Sequence, residues 1–94
     1  MAYALIRHKV KDYLDWKFVF VEHANTRRAE GSQGGQLFRN ADQPDEVVIL
    51  MEWDTVENAR RFLQSDELKQ AMQKAGVAST PELVVLEKVE APSW

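Results

Sequence analysis

The chain has 94 residues, 45% of them hydrophobic and 29% charged, and its 12 basic and 15 acidic side chains give a net charge of −3. This composition predicts one globular domain over residues 1–94, and the negative charge argues against nucleic acid and anionic membranes as partners. The absence of cysteine excludes disulfides, thiol catalysis and cysteine-ligated metal. No apolar run approaches the ~20 residues of a membrane span, and charges interrupt the N-terminal run too early for a signal peptide, so we expect a cytoplasmic protein.

The first third of the chain predicts a strand followed by a long helix. Apolar alternation indicates a strand over 3–10, on which His8 is more commonly a core or pocket group than a metal ligand. Asp12 is a suitable N-cap for a helix over 13–30, and Gly31 is a typical residue at its C-terminal end.

The middle of the chain predicts a β-hairpin. A glycine-rich turn at 32–35 leads into a short strand at 36–40, and the segment 41–45, ADQPD, has the composition of a turn. The next strand, EVVILMEW at 46–53, is apolar on both of its faces. Its alternating positions are Val47, Ile49, Met51 and Trp53 on one face and Val48 and Leu50 on the other.

The second helical region has two capping sites. Asp54 and Glu57 have the spacing of a capping box, with Thr55 as a rival cap. Ser65 predicts an interruption and a second cap, after which the helix ends at Gly76.

The order β-α-β-β-α-β, completed by a strand over 82–89, predicts a ferredoxin-like α+β fold. Such a fold has a four-stranded antiparallel sheet, two helices on one face, and strands one and three in the centre. The helices of one chain cover only one face, so the two-sided strand at 46–53 predicts a homodimer in which a second copy covers the open face. The pattern does not decide which side of this strand meets the partner.

One face of the first helix combines aromatic and ionisable side chains at three- and four-residue steps. They are Tyr13, Trp16, Phe20, His23, Ala24 and Arg27. One interpretation is an aromatic-walled pocket between helix and sheet, in which His23 moves protons and Arg27 anchors an anion or oxygen. The alternative is that His23 binds a backbone group while Arg27 extends towards solvent. A buried Arg27 would need a partner, such as Glu52 or backbone carbonyls.

A second apolar patch on this helix consists of Leu14, Phe18 and Val21. It predicts a contact with a partner chain or with the C-terminal tail, which carries Trp94. The alternative is that the patch overhangs neighbouring loops of the same chain.

Residues 30–72 resemble the antibiotic biosynthesis monooxygenase-like family of dimeric α+β barrels. The matching features are Gly31, the strand Leu37 to Arg39, the turn Asp42 to Asp45, Trp53, Ala59 and the second cap from Ser65 to Leu68. The resemblance implies two ferredoxin-like subunits packed sheet to sheet, and oxidation of quinols, polyketide aromatics or haem without metal or flavin. Because many members have no assigned activity, a non-catalytic small-molecule-binding or accessory protein is the alternative function.

Two departures from the family narrow this expectation. Phe62 and Glu67 stand where the family often has histidines, and of the residues that mark the haem-degrading branch only Trp53 matches. We therefore expect no cofactor and no metal, and a small aromatic, quinol or polyketide-like ligand. The expected pocket consists of Trp16, Phe20, His23, Arg27 and Trp53, with His23 and Arg27 as the candidate catalytic residues.

Overall fold

A four-stranded antiparallel sheet organises the part of the chain that the computed structural model describes, residues 1–93. The strands are β1 (Ala2–Lys9), β2 (Ser32–Arg39), β3 (Glu46–Trp53) and β4 (Glu82–Glu87), and the helices are α1 (Tyr13–Glu22), α2 (Ala24–Glu30), α3 (Val56–Leu63) and α4 (Asp66–Ala75). The strand order is β2-β3-β1-β4, which confirms the predicted ferredoxin-like α+β fold with strands one and three in the centre. Trp94, which the sequence offered as a contact for the second apolar patch, lies outside the described residues.

The two faces of the sheet differ in burial. The β3 residues Val47, Ile49, Met51 and Trp53 are buried beneath the helices. Val48 and Leu50 are half-buried on the opposite, open face. A partner that covers the open face would therefore meet the Val48 side of the strand.

The predicted first helix is in fact two helices that meet at His23, so the prediction of one continuous helix is wrong. Its start is as expected, because the Asp12 side chain accepts a hydrogen bond of 3.0 Å from the Asp15 N–H. At the break, the Val19 carbonyl oxygen accepts a hydrogen bond of 3.2 Å from the His23 backbone N–H, and His23 Nδ1 lies 3.0 Å from the same oxygen. The second segment ends at Gly31, as predicted.

The segment predicted as a glycine-rich turn is the beginning of β2, so that prediction is wrong as well. The pairing of β2 with β3 shifts register between Ser32 and Gly35, which marks a β-bulge. At Gly35 the backbone approaches β3 so closely that a Cβ would lie 2.2 Å from the Leu50 carbonyl oxygen. Glycine is needed here for a close approach of two backbones, and not for a turn.

The second helical region is divided where the sequence predicted, but its first cap differs. Thr55, the rival candidate, caps α3 by accepting a hydrogen bond of 3.0 Å from the Asn58 N–H. Asp54 instead accepts from the Thr55 N–H and the Asn58 side chain, so the predicted capping box does not form. Ser65 caps α4, as predicted. Within residues 1–93, no helix combines the length and the apolar character that crossing a membrane requires.

The second apolar patch lies open to solvent. Leu14 is 75% exposed and Phe18 is 69% exposed. The loops among the described residues do not cover them, so the alternative of an overhang within the chain is wrong. A contact with a partner chain stays a prediction.

Candidate functional site

The inner face of α1 carries a row of aromatic rings with an arginine at each end. The guanidinium carbon of Arg39 lies 4.3 Å from the ring centroid of Tyr13, and Tyr13 lies 5.9 Å from Trp16. Trp16 and Phe20 stack at 5.1 Å, and the Arg27 guanidinium carbon lies 4.0 Å from the Phe20 centroid. The rings meet because residues three and four apart are neighbours on a helix. Each stacked or cation–π contact helps to hold these side chains in place.

A cavity of about 50 Å³, called here the inner cavity, lies between this row and the sheet. Four of the five predicted pocket residues line it: Trp16, Phe20, His23 and Arg27. Most of the remaining wall is apolar and comes from β1, β3, α3 and α4. Since a water needs roughly 10–15 Å³ by this kind of measure, the cavity has room for a few heavy atoms and not for a whole aromatic ring.

Two open hollows adjoin the inner cavity. The β2 hollow, of about 200 Å³, shares Phe20, Arg27, Ile49 and Met51 with the inner cavity. The outer groove, of about 430 Å³ between α2 and α4, shares His23 and Ala71 with it. The half-buried Phe20 and Arg27 are thus among the residues that line both the inner cavity and the larger space beside β2.

His23 is half-buried at the junction of α1 and α2. A carbonyl oxygen can only accept a hydrogen bond, so the contact between His23 Nδ1 and the Val19 oxygen places the ring proton on Nδ1. In the neutral ring, Nε2 is then the acceptor. The sequence left a backbone hydrogen bond and a role in the pocket as alternatives for His23. Because the two ring nitrogens are distinct, Nδ1 can bind the backbone while Nε2 is available for the pocket.

Arg27 is half-buried, and among residues 1–93 the ion pairs do not include it. The predicted partner Glu52 is wrong, because Glu52 pairs with Tyr3 on the open face and the sheet separates it from Arg27. Burial and, secondarily, the neighbouring Arg28 lower the pKa of Arg27. A half-buried guanidinium of this kind, stacked on Phe20, is suited to bind an anionic oxygen.

The structure does not bring Trp53 into the lining of the inner cavity. Its side chain is fully buried and packs against Phe62, with ring centroids 4.9 Å apart. Trp53 therefore belongs to the core beside the cavity, and the prediction that it forms part of the pocket wall does not fit this geometry.

His8 lines the inner cavity, although the sequence did not place it among the site residues. The sequence did contain a signal for this position, because His8 alternates with Ala4 and Ile6 along β1. These three side chains share one face of the strand, and that face is buried beneath the helices. Burial lowers the pKa of His8.

No group of three or more potential metal ligands occurs in the described residues.

The chain is similar to one group of known proteins. The sequence profile of the family described as antibiotic biosynthesis monooxygenase matches residues 15–74. Among solved structures, a candidate antibiotic biosynthesis monooxygenase from Bordetella bronchiseptica has a TM-score of 0.77 at 21% identity, covering 95% of this chain and 97% of that chain. SnoaB, a cofactor-independent oxygenase from Streptomyces nogalater, has a TM-score of 0.75 at 18% identity, covering 96% and 94%. At these identities the structures support the fold alone. No curated protein matches the sequence significantly.

Proposed function

Because this chain belongs to the antibiotic biosynthesis monooxygenase family, we propose that it is a cofactor-independent monooxygenase acting on a small aromatic, quinol or polyketide-like compound. The substrate binds between helices and sheet, with its polar edge at the inner cavity and its body towards the β2 hollow. Phe20 and Arg27 move aside to admit it, since the inner cavity alone is too small for a ring.

His23 and Arg27 divide the chemistry between them. Nε2 of His23 accepts the proton of a substrate hydroxyl, and Arg27 holds the oxyanion that results. The electron-rich anion then reacts with dioxygen. For a hydroquinone, one oxygen atom becomes a hydroxyl group at a ring carbon that carried one hydrogen, the ring is oxidised to the quinone, and the other oxygen atom leaves as water. The substrate supplies all four electrons, so the reaction needs no external reductant.

One observation carries this proposal: a half-buried arginine and a half-buried histidine line the same small, mostly apolar cavity. Charge that develops in such a site interacts more strongly than it would in water. The inner cavity, of about 50 Å³, is too small for a whole aromatic ring. This favours a second candidate function, a non-catalytic protein that binds small molecules in the same place.

Oxygen uptake with a panel of quinols and hydroxylated polycyclic aromatics tests the proposal. We expect turnover by the wild-type protein, with one atom of ¹⁸O from labelled dioxygen in the product. His23→Ala and Arg27→Ala should each lower kcat by about 100-fold or more. Arg28→Ala is the matched control, because Arg28 is the adjacent, exposed arginine and its side chain donates a local hydrogen bond to Asn25. Unchanged turnover in both site variants would remove this site, and binding without oxygen uptake across the panel would favour the second candidate.

The proposed active unit is a homodimer formed through the open sheet face. This face carries the exposed Phe38 and Leu86 beside the half-buried Val48 and Leu50. Apolar residues on both sides of a small sheet support an assembly in which a second copy covers them.

A further inference from the structure

Arg27 is a half-buried cation that has no counterion within residues 1–93. Its side chain takes part in none of the ion pairs or side-chain hydrogen bonds of this part of the chain, whereas Arg7 and Arg28 each donate one. It does contact the face of the Phe20 ring, whose centroid lies 4.0 Å from the guanidinium carbon. Such a cation–π contact leaves the five N–H donors of the guanidinium group available to an acceptor.

The nitrogens of this guanidinium group are accessible to a bound molecule. Within residues 1–93, the fully buried side-chain nitrogen and oxygen atoms without a partner are His8 Nδ1 and Trp53 Nε1. The Arg27 nitrogens also lack a partner but are not among these buried atoms, so they have surface that another group can touch. Because Arg27 lines both the inner cavity and the β2 hollow, a ligand that spans the two spaces passes along its side chain.

The walls of the two spaces favour a ligand with a single negative charge. Among the described residues that line them, Arg27 is the one Lys or Arg, and none is Asp or Glu. Burial and, secondarily, Arg28 lower the pKa of Arg27, as expected where no carboxylate compensates its charge. A group with one permanent negative charge would compensate it, whereas a phosphate group, with nearly two charges at neutral pH, would need a second cation.

The shape of the guanidinium group selects among anions with one charge. Its planar fork matches a carboxylate, which accepts two parallel hydrogen bonds from it. Ser32, half-buried in the wall of the β2 hollow, adds a hydroxyl donor on that side. The β2 hollow, of about 200 Å³, has room for about a dozen heavy atoms, which is enough for an aromatic acid with one ring.

We infer that Arg27 binds a permanent carboxylate of the substrate on the side of the β2 hollow, and that the substrate is an aromatic hydroxy acid whose carboxylate lies next to the reacting hydroxyl group. This inference rests on the proposed function, which places the oxyanion of that hydroxyl group at Arg27. One guanidinium group can hold both groups only if they occupy neighbouring ring positions, and its five donors suffice for the two. An uncharged quinol lacks the anion that compensates Arg27 before the reaction begins.

Salicylate and salicylamide form a matched pair of probes, because they share the ring and the hydroxyl group and differ in a carboxylate against an uncharged amide. Their dissociation constants are measured by NMR titration. We expect the wild-type protein to bind salicylate at least about 10-fold more tightly than salicylamide. General attraction of anions does not produce this preference, because the net charge of the protein is −3.

Three variants test whether Arg27 causes the preference. Arg27→Gln should reduce it to less than about twofold, because glutamine has no charge. Arg27→Lys should retain part of it, because lysine keeps the charge and lacks the fork. Arg28→Gln is the matched control and should retain all of it, because Arg28 is the adjacent, exposed arginine.

A measurement on the unmodified protein covers the case in which an Arg27 variant fails to fold. With ¹⁵N-labelled arginine, salicylate should shift the Nε resonance of Arg27, and salicylamide should shift it much less. The inference would be overturned by an Nε resonance that salicylate leaves unchanged, by equal affinities of the wild-type protein for the two probes, by a preference that Arg27→Gln retains, or by failure of salicylate to bind.

Oxygen uptake separates this inference from the proposed reaction. 2,5-Dihydroxybenzoate carries a carboxylate next to a hydroxyl group and hydroquinone does not, so we expect the KM of the acid to be lower by about 10-fold or more. A preference for salicylate that depends on Arg27, in a protein without oxygen uptake, would support the carboxylate site while removing the proposed reaction. Turnover of both compounds with equal KM would retain the reaction and overturn the inference.

Discussion

The ring nitrogen atoms of the two histidines of this chain have different neighbours. His23 Nδ1 is engaged by the Val19 carbonyl at 3.0 Å, which leaves Nε2 as the acceptor. His8 lies deep beneath the helices, and the cost of burying a charge there lowers its pKa. The sequence contains both as single histidines, and only their surroundings distinguish His23, the proposed proton acceptor, from His8, whose charged form is disfavoured by burial.

The lowered pKa of His8 predicts a loss of stability in mild acid. The ordinary histidine pKa is 6.5, so below that pH the unfolded chain takes up a proton that the folded protein still excludes. The free energy of unfolding should therefore fall as the pH decreases from about 6.5 to about 5. Urea denaturation across this range, with wild type and His8→Leu compared at each pH, measures the effect.

Glu30 makes the comparison with His8→Leu necessary. Burial and, secondarily, the Glu67 carboxyl raise the pKa of Glu30, and this contribution changes stability in the opposite direction over part of the same range. Glu46 affects stability only at a lower pH, because a hydrogen bond from Arg7 holds the pKa of Glu46 below the ordinary value of 4.5. Identical pH slopes for wild type and His8→Leu would show that His8 does not contribute.

Among the elements, β2 shows how one glycine can determine the shape of a strand. Its bulge brings the backbone of Gly35 against Leu50 of β3, whereas a Cβ on Gly34 would meet no atom within 4 Å. Both glycines also line the β2 hollow. The bulge therefore shapes the larger of the two spaces that the proposed substrate occupies.

Replacing Gly35 should be more costly than replacing its neighbour. Gly35→Ala would place Cβ 2.2 Å from the Leu50 carbonyl oxygen, so the strand must shift. We expect a loss of about 2–3 kcal/mol in the free energy of unfolding, against about 1 kcal/mol for Gly34→Ala, which is strained only by its positive φ. Urea denaturation midpoints compare the two variants, and equal losses would contradict this account of the bulge.

On the scale of the whole molecule, two apolar surfaces are candidates for contact with a second chain. The open sheet face includes Val48 and Leu50, and the second apolar patch on α1 includes the highly exposed Leu14 and Phe18. An obligate interface typically buries ~2,000 Å² or more. The sheet is the broader surface, so we expect it to form the dimer.

Substitution of one side chain on each surface distinguishes them. Sedimentation at micromolar concentration should give about twice 10.8 kDa for the wild-type protein. Val48→Asp should give a folded or partly destabilised monomer, because it puts a charge into the proposed interface. Leu14→Asp should leave the dimer intact. Dissociation by Leu14→Asp alone would move the interface to α1.

Ile49→Asp, on the buried face, should unfold the chain itself and serves as the contrasting control.

The sequence alone determined the features that depend on neighbouring residues. The caps at Asp12 and Ser65 and the end at Gly31 follow from local backbone geometry, and the order of elements then predicts the fold. The shared helical face of Trp16 and Phe20 is likewise a local property, since side chains three and four residues apart must lie together.

Tertiary structure decided the features that depend on contacts between different elements. It placed Val48 on the open face, separated Glu52 from Arg27, left Trp53 in the core and brought His8 to the inner cavity. The physical reason is that periodicity tells which side chains point the same way along one element, whereas burial, hydrogen bonding and cavity volume arise from distances between elements that are remote in the chain.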